Sequence, residues 1–192
     1  MHSFRHLIRA DFERWLDGAP MSARAACSAV VRNPGLQASL VYRFGRLLFA
    51  GKTQPWCWPL LALGAPVYLA AAALIRGCYG IRLYMSAQIG GGFYVAHFGG
   101  VEVANCRLGE RCSVGQQSKV GSRTAADGPE VGDGVWIGAH AKVLGRVRVG
   151  DGATIAPGAR VTKAIPARAF VVGDPGRIVF RGYDNTTIQP KS

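Results

Sequence analysis

Acidic residues are scarce in this 192-residue chain. It has 11 Asp and Glu against 23 Lys and Arg, which gives a formal net charge of +12. A basic surplus of this size favours an anionic partner, whether nucleic acid, an anionic membrane leaflet or a phosphorylated ligand. The sequence has no Arg-rich run with interleaved aromatics and no nucleic-acid-binding motif, so we expect no nucleic-acid partner.

Paired cysteines are also lacking. The five cysteines are an odd number and none forms a CxxC motif: Cys27, Cys57, Cys78, Cys106 and Cys112. This argues against a disulfide framework and against a metal site, and it indicates a reducing compartment. The first residues, "MHSFRHLIRADFERWL", contain acids and no cleavage site after an apolar core, so they do not resemble a signal peptide. We expect a cytoplasmic protein without a metal.

Charge is absent from one long segment, "WCWPLLALGAPVYLAAAALI" at residues 56–75. A spanning helix needs about 20 apolar residues. Pro59 and Pro66 argue against a straight span, whereas Trp56 and Trp58 suit a membrane interface. Three interpretations remain open: an interfacial or re-entrant anchor, a helix buried against the next domain, and a true span. Together with the basic surplus, the segment favours peripheral contact with the inner face of the cytoplasmic membrane.

Before this segment the pattern is helical. Leu7, Phe12 and Leu16 recur near helical spacing, "LVYRFGRLLF" has an apolar and a basic face, and "NPG" divides the region in two. We therefore predict a helical N-terminal region over 1–82, which includes the apolar segment. A second domain over 83–180 and a C-terminal tail over 181–192 complete the division.

A six-residue period runs through the second domain. Twelve units begin with Ile, Leu or Val, and Gly follows directly in seven of them. The units begin at Ile89, Val95, Val101, Leu108, Val114, Val120, Val131, Ile137, Val143, Val149, Ile155 and Val161. To keep the six-residue period, one extra residue, Arg107, is placed between the unit that begins at Val101 and the unit that begins at Leu108. An aliphatic followed by a small residue specifies a short strand and then a tight corner, and three such hexads close one coil. Coils stack about 4.8 Å apart through parallel pairing, so we predict a mainly β chain built as a parallel β-helix.

One unit is too long for a corner. The stretch "GSRTAADGPE" at 121–130 predicts a loop that leaves the β-helix. Such loops are where ligand contacts tend to lie, although a neutral surface insertion fits the pattern as well.

Three stretches resemble the hexapeptide-repeat acyltransferase superfamily. "SAQIGGGFYVAH" followed by "GGVEVANCRLGERCSVGQQSKVG" is similar to the catalytic coil of the serine acetyltransferase group. "VGDGVWIGAHAKVLGRVRVGDGATIAPGARVTKAIP" is similar to its acetyl-CoA-binding coils, and "AFVVGDPGRIV" to its closing segment, with Gly176 in place of the usual Ala. The resemblance implies a left-handed parallel β-helix, a homotrimer with active sites between subunits, and acetyl-CoA as co-substrate.

His97 is the catalytic residue that the resemblance implies. An unactivated hydroxyl is a poor nucleophile at neutral pH, and a histidine with a reference pKa of about 6.5 suits the role of general base. The hydroxyl would attack the thioester directly, and a backbone N–H would stabilise the oxyanion. His140 is the rival base, but the family usually has Gly there. A solvent-facing turn histidine is the alternative for His97.

The resemblance also implies residues for the co-substrate and the acceptor. Ala139 and Pro157 would line the pantetheine groove, with His140 at its rim, and Lys163 and Arg177 would contact the CoA phosphates. The acceptor would contact the two remaining candidates, Tyr84 and Asn105. The alternative is that several of the basic residues are solvated corner residues.

Several serine-site features of the group are missing. Arg82 stands where an aspartate pairs with the catalytic histidine, Ala96 where an acid precedes it, and Asp127 and Gly128 where a loop Arg-His pair occurs. We therefore expect closer kinship with exopolysaccharide, capsule and colanic-acid-type O-acetyltransferases, which "HFGGVEVAN" resembles. The predicted function is acetyl transfer to a sugar hydroxyl on a lipid-linked saccharide. Serine O-acetylation in cysteine biosynthesis and a non-catalytic β-helix scaffold are the alternatives.

Overall fold

A computed structural model describes residues 4–16, 20–50, 58–97, 99–121 and 127–189. Four helices come first in the chain: α1 Phe4–Leu16, α2 Ala23–Arg32, α3 Pro34–Ala50 and α4 Trp58–Tyr79. Short strands follow: β1 Arg82–Leu83, β2 Gln88–Ile89, β3 Tyr94–Val95, β4 Glu102–Val103, β5 Arg107–Leu108, β6 Ser113–Val114, β7 Lys119–Val120, β8 Glu130–Val131, β9 Trp136–Ile137, β10 Lys142–Val143, β11 Arg148–Val149, β12 Thr154–Ile155, β13 Arg160–Val161, β14 Ala169–Val172 and β15 Arg177–Arg181. The helical N-terminal region is confirmed.

The strands form three sheets that the chain visits in turn. Sheet A has the order β1-β4-β7-β10-β13, sheet B the order β11-β8-β5-β2, and sheet C the order β15-β14-β12-β9-β6-β3. Neighbouring strands in sheets A and B are three strands apart in sequence and pair in parallel. This is the pattern expected when each coil contributes one strand to each of the three sheets. The antiparallel pair β14–β15 closes the far end of sheet C. The predicted parallel β-helix is confirmed.

The interior is a column of aliphatic side chains at the second position of each strand. Val95, Val114, Ile137 and Ile155 succeed one another in sheet C, and each is at least 98% buried. This is the inward position that the hexads predict. Because each coil covers the aliphatics of the next, the β-helix has one continuous core.

The hexad phase between Val95 and Leu108 is wrong in the sequence-based prediction. Val103, not Val101, occupies the strand position, where it pairs with Leu83 and with Val120. Both Val101 and Val103 are completely buried, so the aliphatic pattern alone does not choose between them. The surplus residues therefore lie in the corner between β3 and β4 and not at Arg107, which begins β5.

The helices are attached to the first coil by a buried ion pair. Arg43 of α3 and Asp11 of α1 lie 3.1 Å apart between Nε and Oδ2, with side chains 3% and 0% exposed. The guanidinium also donates to the Ile89 carbonyl at 2.5 Å, and the carboxylate accepts from the Phe93 backbone N–H at 3.1 Å. Each charge is therefore both paired and hydrogen-bonded to the β-helix, as a buried charge requires.

A second buried cation connects α1 to the chain's last described segment. Arg14 donates to Ser113 Oγ at 3.0 Å and to the Gln189 side chain. Asn185 of the same segment donates to the Gly134 carbonyl at 3.0 Å. Burial lowers the pKa of Arg14 to about 10, which leaves the guanidinium protonated at neutral pH. The segment before residue 190 thus packs across the β-helix onto α1.

Helix α4 packs on one side only. Gly64 lies against Leu48 of α3, and the rings of Tyr68 and Phe49 meet edge to face at 5.7 Å. The stretch Leu61–Tyr79 has a mean hydropathy of 1.6, and 6% of its residues are buried. By length and composition it is the one described helix able to cross a membrane. The helix is therefore not buried within this chain. Two residues of the predicted segment, 56 and 57, lie outside the described residues.

Candidate active site

His97 lies in the enlarged corner between β3 and β4, on the edge where sheet C meets sheet A. Gly99 and Gly100 in the same corner have φ of 113° and 66°, a region that favours glycine. The imidazole is exposed. Among the residues that the structure describes, none forms a hydrogen bond with the His97 side chain. This corner therefore presents a base outward, where an acceptor from solvent can reach it.

The corners above His97 stack in register along the same edge, which we call the His97 edge (corners 96–97 with 99–101, 115–118, 138–141 and 156–159). Backbone hydrogen bonds connect successive corners: Gln117 N–H to the Gly99 carbonyl at 2.7 Å, His140 N–H to Gln116 at 2.8 Å, and Gly158 N–H to Ala139 at 2.8 Å. The structure thus brings Ala139, His140 and Pro157, three of the predicted CoA residues, onto the edge that carries His97. With a coil spacing of about 4.8 Å, Ala139 lies two coils, or about 10 Å, from His97 along this edge.

His140 occupies a strained position in its corner. Its φ is 61°, and the equivalent positions in neighbouring coils hold Gln117 at 55° and Gly158 at 73°. This left-handed conformation explains why a Gly suits the position. The side chain is exposed and two coils away from His97, so the two histidines do not form one catalytic pair within the chain.

A column of mostly basic side chains covers the outer face of sheet A beside the His97 edge. Strand register aligns five outward residues: Arg82, Glu102, Lys119, Lys142 and Arg160. Glu102 lies 3.9 Å from Lys119, between Oε2 and Nζ, so its carboxylate faces along the column. The upper part of the column is therefore cationic and suits a phosphorylated ligand. Arg177 begins β15 immediately after the turn that closes this end of the β-helix.

The remaining predicted residues lie on a different edge, where sheet A meets sheet B. We call this the Asn105 edge (corners 84–87, 104–106, 144–147 and 162–164). Asn105 and Lys163 line a cleft of about 680 Å³ there, together with Arg107 and Arg148. Tyr84 lies on the same edge, one coil from Asn105. The chain therefore does not bring Tyr84, Asn105 or Lys163 to its own His97.

The described end of the 121–130 loop borders this cleft. Asp127 lies 3.7 Å from Arg146, between Oδ2 and Nη1, and Arg107 N–H donates to the Pro129 carbonyl at 3.0 Å. Residues 122–126 lie outside the described residues. The loop thus leaves the β-helix from the Asn105 edge and not from the His97 edge.

A separate cavity of about 470 Å³ lies between α3, α4 and the first coil. Its walls are mostly apolar and include Tyr42, Tyr68 and Leu69, with Arg76 and Arg82 as the basic side chains. Arg82 stands at the position where the serine acetyltransferase group has an aspartate. It therefore borders this cavity and also lies on the outer face of sheet A. Sequence reasoning missed the cavity because it depends on how α4 packs against the first coil.

The two buried cysteines take no part in the chemistry of the site. Burial raises the pKa of Cys106 and of Cys112 to about 12 each, so both remain protonated at neutral pH and neither supplies a thiolate nucleophile. Within the described ranges, no group of three or more His, Cys, Asp or Glu residues is arranged to hold a metal ion. The available base on the His97 edge is an imidazole.

Comparison with known proteins agrees with the repeat and the fold. The family described as bacterial transferase hexapeptide (six repeats) matches residues 128–163. A serine acetyltransferase from Bacillus pumilus is 29% identical over 182 residues, which cover 92% of this chain and 77% of that protein.

Solved structures of a serine acetyltransferase from Brucella abortus superpose on nearly the whole chain. One has a TM-score of 0.74 at 23% identity, covering 94% of this chain and 70% of that one. Another, solved in complex with coenzyme A, has a TM-score of 0.73 and covers 93% and 68%. At this identity the likeness shows the fold. The chain is thus similar to the hexapeptide-repeat transferases over residues 128–163 and to serine acetyltransferases along most of its length.

These relatives overturn the predicted acceptor. Serine acetyltransferases match along nearly the whole chain, among them those from Bacillus pumilus and Synechococcus elongatus. The predicted kinship with exopolysaccharide O-acetyltransferases and the predicted sugar acceptor are therefore wrong. The absence of three serine-site features misled the prediction, because it weighed single positions above similarity along the whole chain.

Proposed function

We propose that this protein transfers an acetyl group from acetyl-CoA to the hydroxyl of serine. The predicted enzyme class, an acyltransferase with acetyl-CoA as donor, is confirmed by the serine acetyltransferase relatives. The observation that carries the choice of serine is the similarity to serine acetyltransferases over 92% of the chain, from the helices to the closing hairpin. The exposed base on the His97 edge supports it.

In this proposal His97 acts as general base. The imidazole takes the proton from the serine hydroxyl as the oxygen attacks the thioester carbonyl. The tetrahedral intermediate collapses with cleavage of the carbon–sulfur bond, and the proton passes from His97 to the departing thiolate. The products are O-acetylserine and free coenzyme A, and no acyl-enzyme is needed. Two of the described cysteines, Cys106 and Cys112, are protonated and buried, which agrees with direct transfer.

The His97 edge supplies the groove for the donor. Ala139 and Pro157 would line the pantetheine arm, with His140 at the rim. Lys142 and Arg160, both exposed on sheet A, would face the phosphates. Because charge-assisted contacts to phosphate are strong and directional, this column would fix the nucleotide end while the thioester reaches His97.

We further propose that the working unit is a trimer with sites between subunits. The His97 edge and the Asn105 edge are different corners of one prism, so a single chain does not place Asn105 or Lys163 beside His97. A neighbouring prism can supply its Asn105 edge to the His97 edge of the first. Light scattering should give a mass of three times the 20.4 kDa chain.

The experiment that tests the function is product identification. The full chain is incubated with acetyl-CoA and serine, thiol release is followed, and the product is identified by mass spectrometry. Glycine, which lacks a hydroxyl, serves as the matched acceptor control. We expect serine-dependent thiol release and O-acetylserine. Equal release with serine and glycine, or no acetylated serine, would overturn the proposal.

A further inference from the structure

The side of α4 that faces away from α3 is apolar along its described length. Its large side chains are strongly exposed: Leu63 at 76%, Val67 at 58% and Leu74 at 63%. From Leu61 to Tyr79, Arg76 is the only charged residue. Exposed apolar surface of this extent is rare in a soluble monomer and marks a contact surface.

The exposed residues form one continuous face of the helix. At 100° per residue, Leu63, Val67 and Leu74 fall within about 40° of one another. The side that packs towards α3 and the first coil carries Tyr68 and Ile75, about 80–140° around the helix from these three residues. The exposed half is thus not covered by the residues that the structure describes.

The charge around α4 identifies the kind of surface that fits. From residue 18 to residue 101 the chain has no Asp or Glu, while it has seven basic residues. The basic residues described as exposed on α4 and on the elements that contact it are Arg46, Arg76 and Arg82. Two copies meeting through α4 would bring like charges together, which is unfavourable. A lipid surface with anionic headgroups would instead attract each of them.

The attachment of α4 determines how it can meet a bilayer. Gly64 and Tyr68 pack on α3 in the first half of the helix, and Ile75 packs towards the β-helix in the second half. A spanning orientation would separate α4 from both. An orientation in the membrane plane keeps these contacts and immerses only the exposed face.

We propose that α4 docks the protein on anionic lipid bilayers, lying in the interfacial plane. Leu63, Val67 and Leu74 enter the boundary between headgroups and acyl chains, and the basic residues on α4 and its neighbours attract the anionic headgroups. This follows the physics of interfacial helices, in which apolar burial and attraction to anionic lipid act together. The proposal stands apart from the acetyl transfer, since it depends on none of the residues of the His97 edge.

Vesicle flotation of the full chain without detergent tests this directly. The probes are vesicles of phosphatidylcholine alone and of phosphatidylcholine mixed with phosphatidylglycerol. Val67→Glu places a charge in the proposed contact face. Val179→Glu is the matched control, because Val179 is 50% exposed on β15, away from the helices. Leu74→Glu repeats the test at a second site, and thermal unfolding checks that each variant is folded.

We expect the wild type and Val179→Glu to float with the anionic vesicles and much less with the neutral ones. Val67→Glu and Leu74→Glu should lose about tenfold or more of this binding. Three results would overturn the proposal: a wild type that stays unbound, equal flotation on both vesicle types, or folded α4 variants that float as the wild type does. If Val67→Glu floated as the wild type does but had a lower particle mass in light scattering, the exposed face of α4 would instead be a contact between copies of the chain.

Discussion

Asp11 and Arg43, 32 positions apart in the chain, form a solvent-shielded ion pair at the point where the helices meet the first coil. Arg43 holds the Ile89 carbonyl and Asp11 holds the Phe93 N–H. Phe93 directly precedes β3, the strand that leads into the His97 corner. The pair therefore joins the helical region and the catalytic coil into one unit.

Removing one member of this pair should be costly. In Asp11→Ala the Arg43 charge stays buried without its partner, so we expect a loss of about 3–5 kcal/mol in the free energy of unfolding. Glu13→Ala is the control, because Glu13 forms an exposed pair with Arg9 in the same helix and should cost less than about 1 kcal/mol. Urea denaturation measures both. Equal costs for the two variants would show that the buried pair does not anchor the helices.

His140→Gly separates the two histidines of the His97 edge. Glycine adopts a φ of 61° without strain, but it also gains freedom in the unfolded chain. We expect a change in unfolding free energy of less than about 1 kcal/mol and retention of acetyl transfer. A loss of activity of about a hundredfold or more, the size expected for removal of a general base, would assign that role to His140 instead.

The basic column on sheet A should act on the donor. Lys142→Ala and Arg160→Ala are each expected to raise the KM for acetyl-CoA about three- to tenfold while leaving kcat nearly unchanged, because a phosphate contact is lost. The effect should shrink at high salt. Arg24→Ala, which removes an exposed arginine from α2, is the control. An unchanged KM in both sheet A variants would place the nucleotide elsewhere.

The buried thiols should resist alkylation in the native state. The pKa of Cys106 and of Cys112 is about 12, while Cys27 and Cys78 are exposed. Iodoacetamide at mildly alkaline pH should label the exposed pair at least about a hundredfold faster, as peptide mapping would report. Because the folded pKa lies above the unfolded value of 9.0, the stability that these protonated thiols contribute is complete below pH 9 and is lost between about pH 9 and 12. Rapid labelling of Cys112 in the folded protein would contradict its burial.

The repeat made most of the fold predictable from sequence. Each strand needs an inward aliphatic, so the hexads located the strands within a residue or two over most of the β-helix. The exception is instructive: Val101 and Val103 are both buried aliphatics two residues apart, and the pattern does not tell which one pairs with Val120. The enlarged His97 corner followed only from the strand register.

Contacts between distant segments were not predictable in the same way. Asp11 and Arg43 look like ordinary polar residues on amphipathic helices, and only the packing shows that they face each other. The environment of α4 was not predictable from the sequence either, because an apolar run is compatible with a buried helix and with an interfacial helix. The acceptor was predicted wrongly because Arg82 and Ala96 show only where single positions differ from the serine acetyltransferase pattern. They do not show which hydroxyl the complete site binds.

The central claim is that His97 activates serine for attack on acetyl-CoA, and the serine-dependent rate of O-acetylserine formation in His97→Ala tests it most directly. Loss of the general base should lower that rate by about a hundredfold to ten-thousandfold, with the KM for acetyl-CoA little changed. His140→Gly, measured beside it, should remain close to the wild type. A folded His97→Ala protein that acetylates serine at the wild-type rate would contradict the account.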